Sequence, residues 1–170
     1  MRKIAVLFTL MFGLNLLLFS QPPIGVVQAE AYAVVVTPNI LLVENDILHF
    51  GEVMPGLQSG DVILSPDNMK TLLGGVYATT NIATTNAIFR VVGVPNTEFN
   101  ITLPNSTTLT GSNGGTMTVD TYTTNIVGNA GVIDSGGTQF SVGATLRVGN
   151  IATQEKGTYV GTFDVVVNKD

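Results

Sequence analysis

From about residue 34 onward the chain alternates apolar and polar side chains. Phe99, Ile101 and Leu103 alternate with Asn100 and Thr102, and Pro104 ends the run. Phe140, Val142, Ala144, Leu146 and Val148 alternate with Ser141, Gly143, Thr145 and Arg147. Tyr159, Gly161, Phe163, Val165 and Val167 form a third such series, and Phe89, Val91 and Gly93 a fourth. A period of two sends successive side chains to opposite faces, so each run predicts a half-buried strand. Val34–Thr37, Ile40–Val43, Ile47–Val53, Asp61–Ser65 and Thr116–Tyr122 read as shorter strands. Their Val, Ile and Thr content suits a pleated surface.

Turn residues separate these runs. Asn45-Asp46, Pro55-Gly56, Ser59-Gly60, Pro66-Asp67, Gly74-Gly75, Pro95-Asn96, Asn113-Gly114-Gly115 and Ser135-Gly136-Gly137 all favour reversals. No later segment sustains a helical period; Met69–Leu73 fits one helical turn at most. The Gly-rich stretch 123–137 reads as the most mobile loop. Short strands with frequent turns predict one antiparallel sandwich or barrel.

The beginning of the chain is different. Arg2 and Lys3 precede an apolar run, Ile4–Phe19, and Gln21-Pro22-Pro23 follows it. The run of about 16 residues is shorter than the ~20 needed to span a bilayer as a helix. Ala29 and Ala31 supply the small residues that signal peptidase needs at −3 and −1, with Ala31 and Ala33 as a second pair. The expected organisation is a signal peptide over 1–31 and a single domain over 32–170. The product is expected to be exported: periplasmic, on the cell surface or extracellular, with no membrane attachment after cleavage.

Composition narrows the function classes. Of 170 residues only 11% are charged and 45% are hydrophobic, too apolar a chain for acidic disorder. Cleavage after Ala31 removes Glu30 from the 12 acidic residues and Arg2 and Lys3 from the 7 basic ones. That leaves 11 against 5 and shifts the net charge from −5 to −6. Such a surface lacks the basic footprint that nucleic acids require. With no Cys there is no disulfide, thiolate metal site or Cys nucleophile.

His49 is the only imidazole, and Asp46 with Ser59 or Ser65 are the residues a triad would need beside it. No Gly-x-Ser-x-Gly elbow is present, and a triad is defined by geometry rather than by sequence. A strand-surface histidine is the simpler reading. Glu44-Asn45-Asp46 places two acids close together without the spacing of a calcium loop. No cofactor, metal or catalytic residue is therefore expected. A sugar-binding module would usually show exposed aromatic platforms; here there is no Trp, and Tyr32, Tyr77, Tyr122 and Tyr159 are the only tyrosines.

The ends of the domain carry the more suggestive pattern. Tyr159, Gly161, Phe163, Val165 and Val167 form an alternating terminal strand of the kind exchanged between subunits by strand addition. A second candidate is Val34, Val36, Ile40 and Leu42, interrupted by Pro38. Either could equally serve the domain's own sheets. The expected partners are copies of the chain or other surface subunits.

Several segments in order resemble a family of bacterial exported proteins known as domain of unknown function 4402. They are Phe50-Gly51-Glu52-Val53 with Pro55-Gly56, Gly60–Pro66, Ala87–Gly93, Phe99–Pro104, Met117–Val119, Phe140–Leu146 and Gly157–Phe163. The resemblance implies an immunoglobulin-like antiparallel β-sandwich, similar to fimbrial and spore-coat subunit domains, and implies no catalytic residues. It favours the sandwich over the barrel. The chain ends in Lys169-Asp170 rather than in the aromatic of chaperone-bound pilins. The expected function is a non-enzymatic structural or adhesive subunit, fimbria-like, assembling by strand addition. The alternative is a secreted module that binds carbohydrate or another surface ligand.

Overall fold

The alternating segments form antiparallel strands that close on one hydrophobic core. The computed structural model describes residues 40–79 and 81–170. In chain order the strands are β1 (Ile40–Asp46), β2 (Val53–Leu64), β3 (Lys70–Ala78), β4 (Ala87–Gly93), β5 (Glu98–Thr102) and β6 (Ser106–Gly111). They continue as β7 (Thr116–Thr124), β8 (Ala130–Val132), β9 (Thr138–Val148), β10 (Tyr159–Val160) and β11 (Val166–Lys169). No α-helix occurs among the described residues.

Strand β9 organises the larger sheet. Its first half pairs with β4, from Thr138↔Val91 to Val142↔Ala87. Its second half pairs on the same side with β2, from Ala144↔Leu64 to Val148↔Gly60. On its other side lie β7, then β6, then the two residues of β10. Beyond β4 sits β1, and beyond β2 sits β3. The smaller sheet has the order β11-β5-β8.

The smaller sheet packs on a face of the larger one, against side chains of β9 and β4. The even-numbered side chains of β9, from Phe140 to Val148, are all buried. Phe140 and Val142 pack with Ala87, Phe89 and Val91 of β4, Phe99 and Ile101 of β5, and Ile133. Ala144, Leu146 and Val148 pack with Phe50, Val62, Leu64, Val76, Met117 and Val119. Leu48 and Tyr122 touch both groups, so the core is continuous. This is the antiparallel sandwich that period-two alternation predicts.

The β2–β3 hairpin departs from a flat ribbon. Pro55 pairs with Val76 and Gly60 with Gly74, so four residues of β2 oppose one of β3. A β-carbon at Gly75 would lie 2.8 Å from the Gln58 carbonyl carbon, so only glycine lets the two strands meet there. The bulge bends the hairpin, and Val53 and Val76 beyond it still reach the Val62 and Leu64 cluster. Gly75→Ala is expected to cost about 2 kcal/mol, read as a lower urea midpoint.

Several expectations need correction. Met69–Leu73 is not a helical turn: Lys70 onward is β3, where pairing with β2 overrides local propensity. Ile47–Val53 forms no continuous strand. Its only ladder contact before Val53 is the isolated bridge His49↔Thr85, because the chain there passes from one strand pair to the next. The stretch 123–137 holds the short strand β8 and the fully buried Ile133. The C-terminal run is not one strand. Tyr159–Val160 pair with β6 and Val166–Lys169 with β5, so residues between them cross from one sheet to the other.

Candidate functional site: sheet edges and exposed faces

The structure divides the predicted assembly residues by what they touch. Ile40 and Leu42 lie in β1 and pack into the domain's own core, while Leu41 and Val43 point outward. Val167 of β11 and Val165 just before that strand also pack into this core. Phe163 lies between the strands, with its ring centroid 5.1 Å from Tyr122 and 6.4 Å from Phe89. Gly161 is exposed and outside any ladder. Tyr159 is half-buried against the second cluster; its hydroxyl donates to the Glu155 carbonyl at 2.6 Å and accepts from Gln154 Nε2 at 2.7 Å. Val34, Val36, Ala29 and Ala31 fall outside the described residues.

No hydrogen bond joins the residues singled out for catalysis to one another. His49 Nδ1 accepts a hydrogen bond from Gly51 N–H at 2.9 Å. The Asp46 carboxylate accepts from Ile47 N–H, and Ser65 Oγ accepts from Met69 N–H. Ser59 lies in the β2 bulge. Among the described residues, no three His, Asp or Glu side chains converge as a metal site would need.

Charge is concentrated instead on the outer face of the large sheet. Arg147 of β9 donates from Nε and Nη2 to Asp120 of β7, and from Nη1 to Asp61 of β2 at 2.7 Å. One guanidinium thereby clips three neighbouring strands, a geometry that only a planar fork of donors provides. Hydrogen bonding from Arg147 holds the Asp120 carboxyl below its ordinary range, and the same bond raises the Arg147 guanidinium. A depressed carboxyl adds stability above its unfolded pKa, ordinarily 3.8, and loses it as pH falls through the folded value. The melting advantage of the wild type over Asp120→Asn is therefore expected above about pH 4 and should vanish in stronger acid. Because the pair is solvent-exposed, added salt should shrink it.

Two other ionisable groups are shifted, both mainly by burial: the Tyr122 phenol upward and the Lys70 ammonium downward. Tyr122 borders an open depression of about 350 Å³, with Leu103, Pro104 and Asn129. A second depression of about 480 Å³ runs beside Asp61, Arg147 and Gln154.

The remaining features are backbone edges and an apolar patch. Among the described residues, β3 pairs with β2 alone and β8 with β5 alone. Met54 and Tyr77 face each other across the β2–β3 pair and are 53% and 58% exposed. The Tyr77 ring lies against Gly56, the carbonyl of Gly56 accepts from Ile151 N–H, and Leu57 follows in the bulge. Leu57 is 89% exposed and Ile151 59%. Four large apolar side chains thus surround the bulge, a grouping that marks contact surfaces more often than single exposed residues do. Sequence reasoning missed this patch. Its signal was the apolar residues Met54 and Leu57 flanking Pro55-Gly56, where a turn would ordinarily be polar.

The fold is an antiparallel β-sandwich with open sheet edges. Comparison with protein families matches residues 41–168 to "Domain of unknown function (DUF4402)", so the chain belongs to that family. Searches of curated proteins and of solved structures found no match.

Proposed function

We propose that the protein is a non-enzymatic structural or adhesive subunit, exported and fimbria-like, that joins its neighbours by β-strand addition. The carrying observation is the register of β1. Ile40 pairs with Gly93, the last residue of β4, so β4 offers no ladder position to the residues before Ile40. The apolar pattern nevertheless continues there through Val36 and Val34, and no charge occurs from Ala31 to Val43. An apolar segment of strand length beyond the end of β4 suits addition to the sheet of another subunit.

The test is to shorten the exported chain so that it begins at Asn39, which spares the core residues Ile40 and Leu42. The intact mature chain should form concentration-dependent oligomers by light scattering, and the shortened one should stay monomeric. A monomeric intact chain at millimolar concentration would refute the reading.

A second reading, binding of a surface glycan, has one observation in its favour: the exposed ring of Tyr77 beside Met54. It predicts glycan-array binding that Tyr77→Ala abolishes.

A further inference from the structure

Resting on the strand-addition reading, we infer that the receiving edge is β3, and that residues 32–38 of a second copy of this chain occupy it. The available edges differ in length and charge. Strand β10 has two residues, β8 three and β11 four, with Lys169 at its end. Strand β1 has seven but carries Glu44 and Asp46 and lies against β11. Strand β3 has nine, contains no proline, and its one charge, Lys70, is the first residue. Short strands, charges and prolines protect edges from pairing, and β3 has the least of them.

The direction of its free groups follows from two hydrogen bonds. Thr79 N–H donates to the Glu52 carbonyl, and Ser65 N–H donates to the Met69 carbonyl. In an antiparallel ladder the paired positions alternate. Tyr77 therefore faces β2, whereas Val76 and Ala78 turn N–H and C=O outward. By the same alternation, so do Lys70 and Leu72. Beside them the exposed patch of Met54, Leu57 and Tyr77 would meet the outward side chains of an added strand.

The occupant is argued from reach. If cleavage follows Ala31, eight residues precede Ile40, or roughly 26 Å of extended chain. Along β9, Ile40 sits two rungs beyond Thr138, while Lys70 lies level with Ala144. The segment leaves β1 at the end away from β3, and about eight rungs, again roughly 26 Å, separate Ile40 from the start of β3. Reaching its own β3 would use the whole segment and leave none to pair. The β3 of another copy carries no such constraint. Residues 32–37 carry no charge, alternate Tyr32, Val34 and Val36, and stop at Pro38, which cannot donate to a ladder.

The chain has no cysteine, so introduced ones report cleanly. Exported chains carrying Val36→Cys are mixed with chains carrying Ala78→Cys and oxidised gently. Neighbouring strands bring Cα atoms within disulfide range, so a linked heterodimer is expected. Ala78→Pro removes one outward N–H and should weaken self-association roughly tenfold without lowering the melting temperature. If the Val36→Cys chain links instead to Leu41→Cys or Val166→Cys, and Ala78→Pro associates normally, the edge assignment fails while strand addition survives. Linking of Ala78→Cys chains mainly to one another would replace the proposed occupant by a second β3. No link at any position, with a monomeric wild type, overturns both this inference and the function it rests on.

Discussion

Phe140→Ala is expected to lower the unfolding free energy by about 3–5 kcal/mol. Phe140 is fully buried in the middle of the core group that joins the two sheets. Its ring stacks on Phe89 at 5.4 Å, and Phe89 in turn meets the edge of Phe163, which the chain carries as it crosses between sheets. Removing the ring leaves a cavity lined by both layers. Neither layer can collapse into it, because β9 is held on one side by β4 and β2 and on the other by β7. Phe140→Leu keeps most of the volume and should lose about 1 kcal/mol. Urea titration decides the matter: the midpoint should fall sharply for Ala and slightly for Leu, with the slope unchanged. An alanine variant within 1 kcal/mol of wild type would mean that the sheets are not joined through this residue.

How legible each strand is in the sequence depends on whether its two faces meet different surroundings. β4, β5, β7 and β9 have a core face and a solvent face, so they alternate visibly and were readable by eye. β3 does not alternate: Lys-Thr-Leu-Leu-Gly-Gly-Val-Tyr-Ala faces the β2 bulge at Gly74-Gly75, and Leu73 and Tyr77 are exposed apolar residues. The two glycines therefore read as a turn and the leucines as a helical turn. β6, Ser-Thr-Thr-Leu-Thr-Gly, has a single large apolar residue and gave almost no signal. The candidate site was harder still. Whether an edge is free depends on strand order, and the order places β9 between β4 and β2, whose paired residues lie 47 to 88 residues earlier in the chain, and β7, which is closer before it. Alternation says that Val167 has a buried face; it cannot say that Ile101 is its ladder partner or that β3 is left over. The same limit applies to Arg147, whose carboxylate partners Asp61 and Asp120 lie 86 and 27 residues earlier in the chain.

Gly143→Ala is expected to destabilise the fold by about 3 kcal/mol, although it adds only one methyl group. Gly143 lies where β9 exchanges one partner for another. Leu64 pairs with Ala144 on one side of this point, and Ala87 pairs with Val142 on the other. Between them the chain leaves β2 through Ser65 and Pro66 and passes over the glycine. A β-carbon there would stand 2.6 Å from the Ser65 carbonyl carbon and 2.7 Å from the Pro66 nitrogen, and it would also meet the Leu64 carbonyl oxygen. These are backbone atoms with little freedom to yield. Pro66 is further fixed because the buried side-chain amide of Asn86, just before β4, donates to its carbonyl. Relief requires β2 or β4 to move off β9, which breaks ladder hydrogen bonds shared with two strands. Gly136→Ala supplies the comparison, since the nearest atom to its β-carbon would be the Arg90 guanidinium at 3.8 Å and its backbone is not left-handed. That variant should stay within about 0.5 kcal/mol of wild type. Hydrogen exchange would localise the damage: in Gly143→Ala, protection should fall first at Leu64 and Val142, on the two ladders that meet at this point, and an evenly spread loss would refute the crossing as its cause.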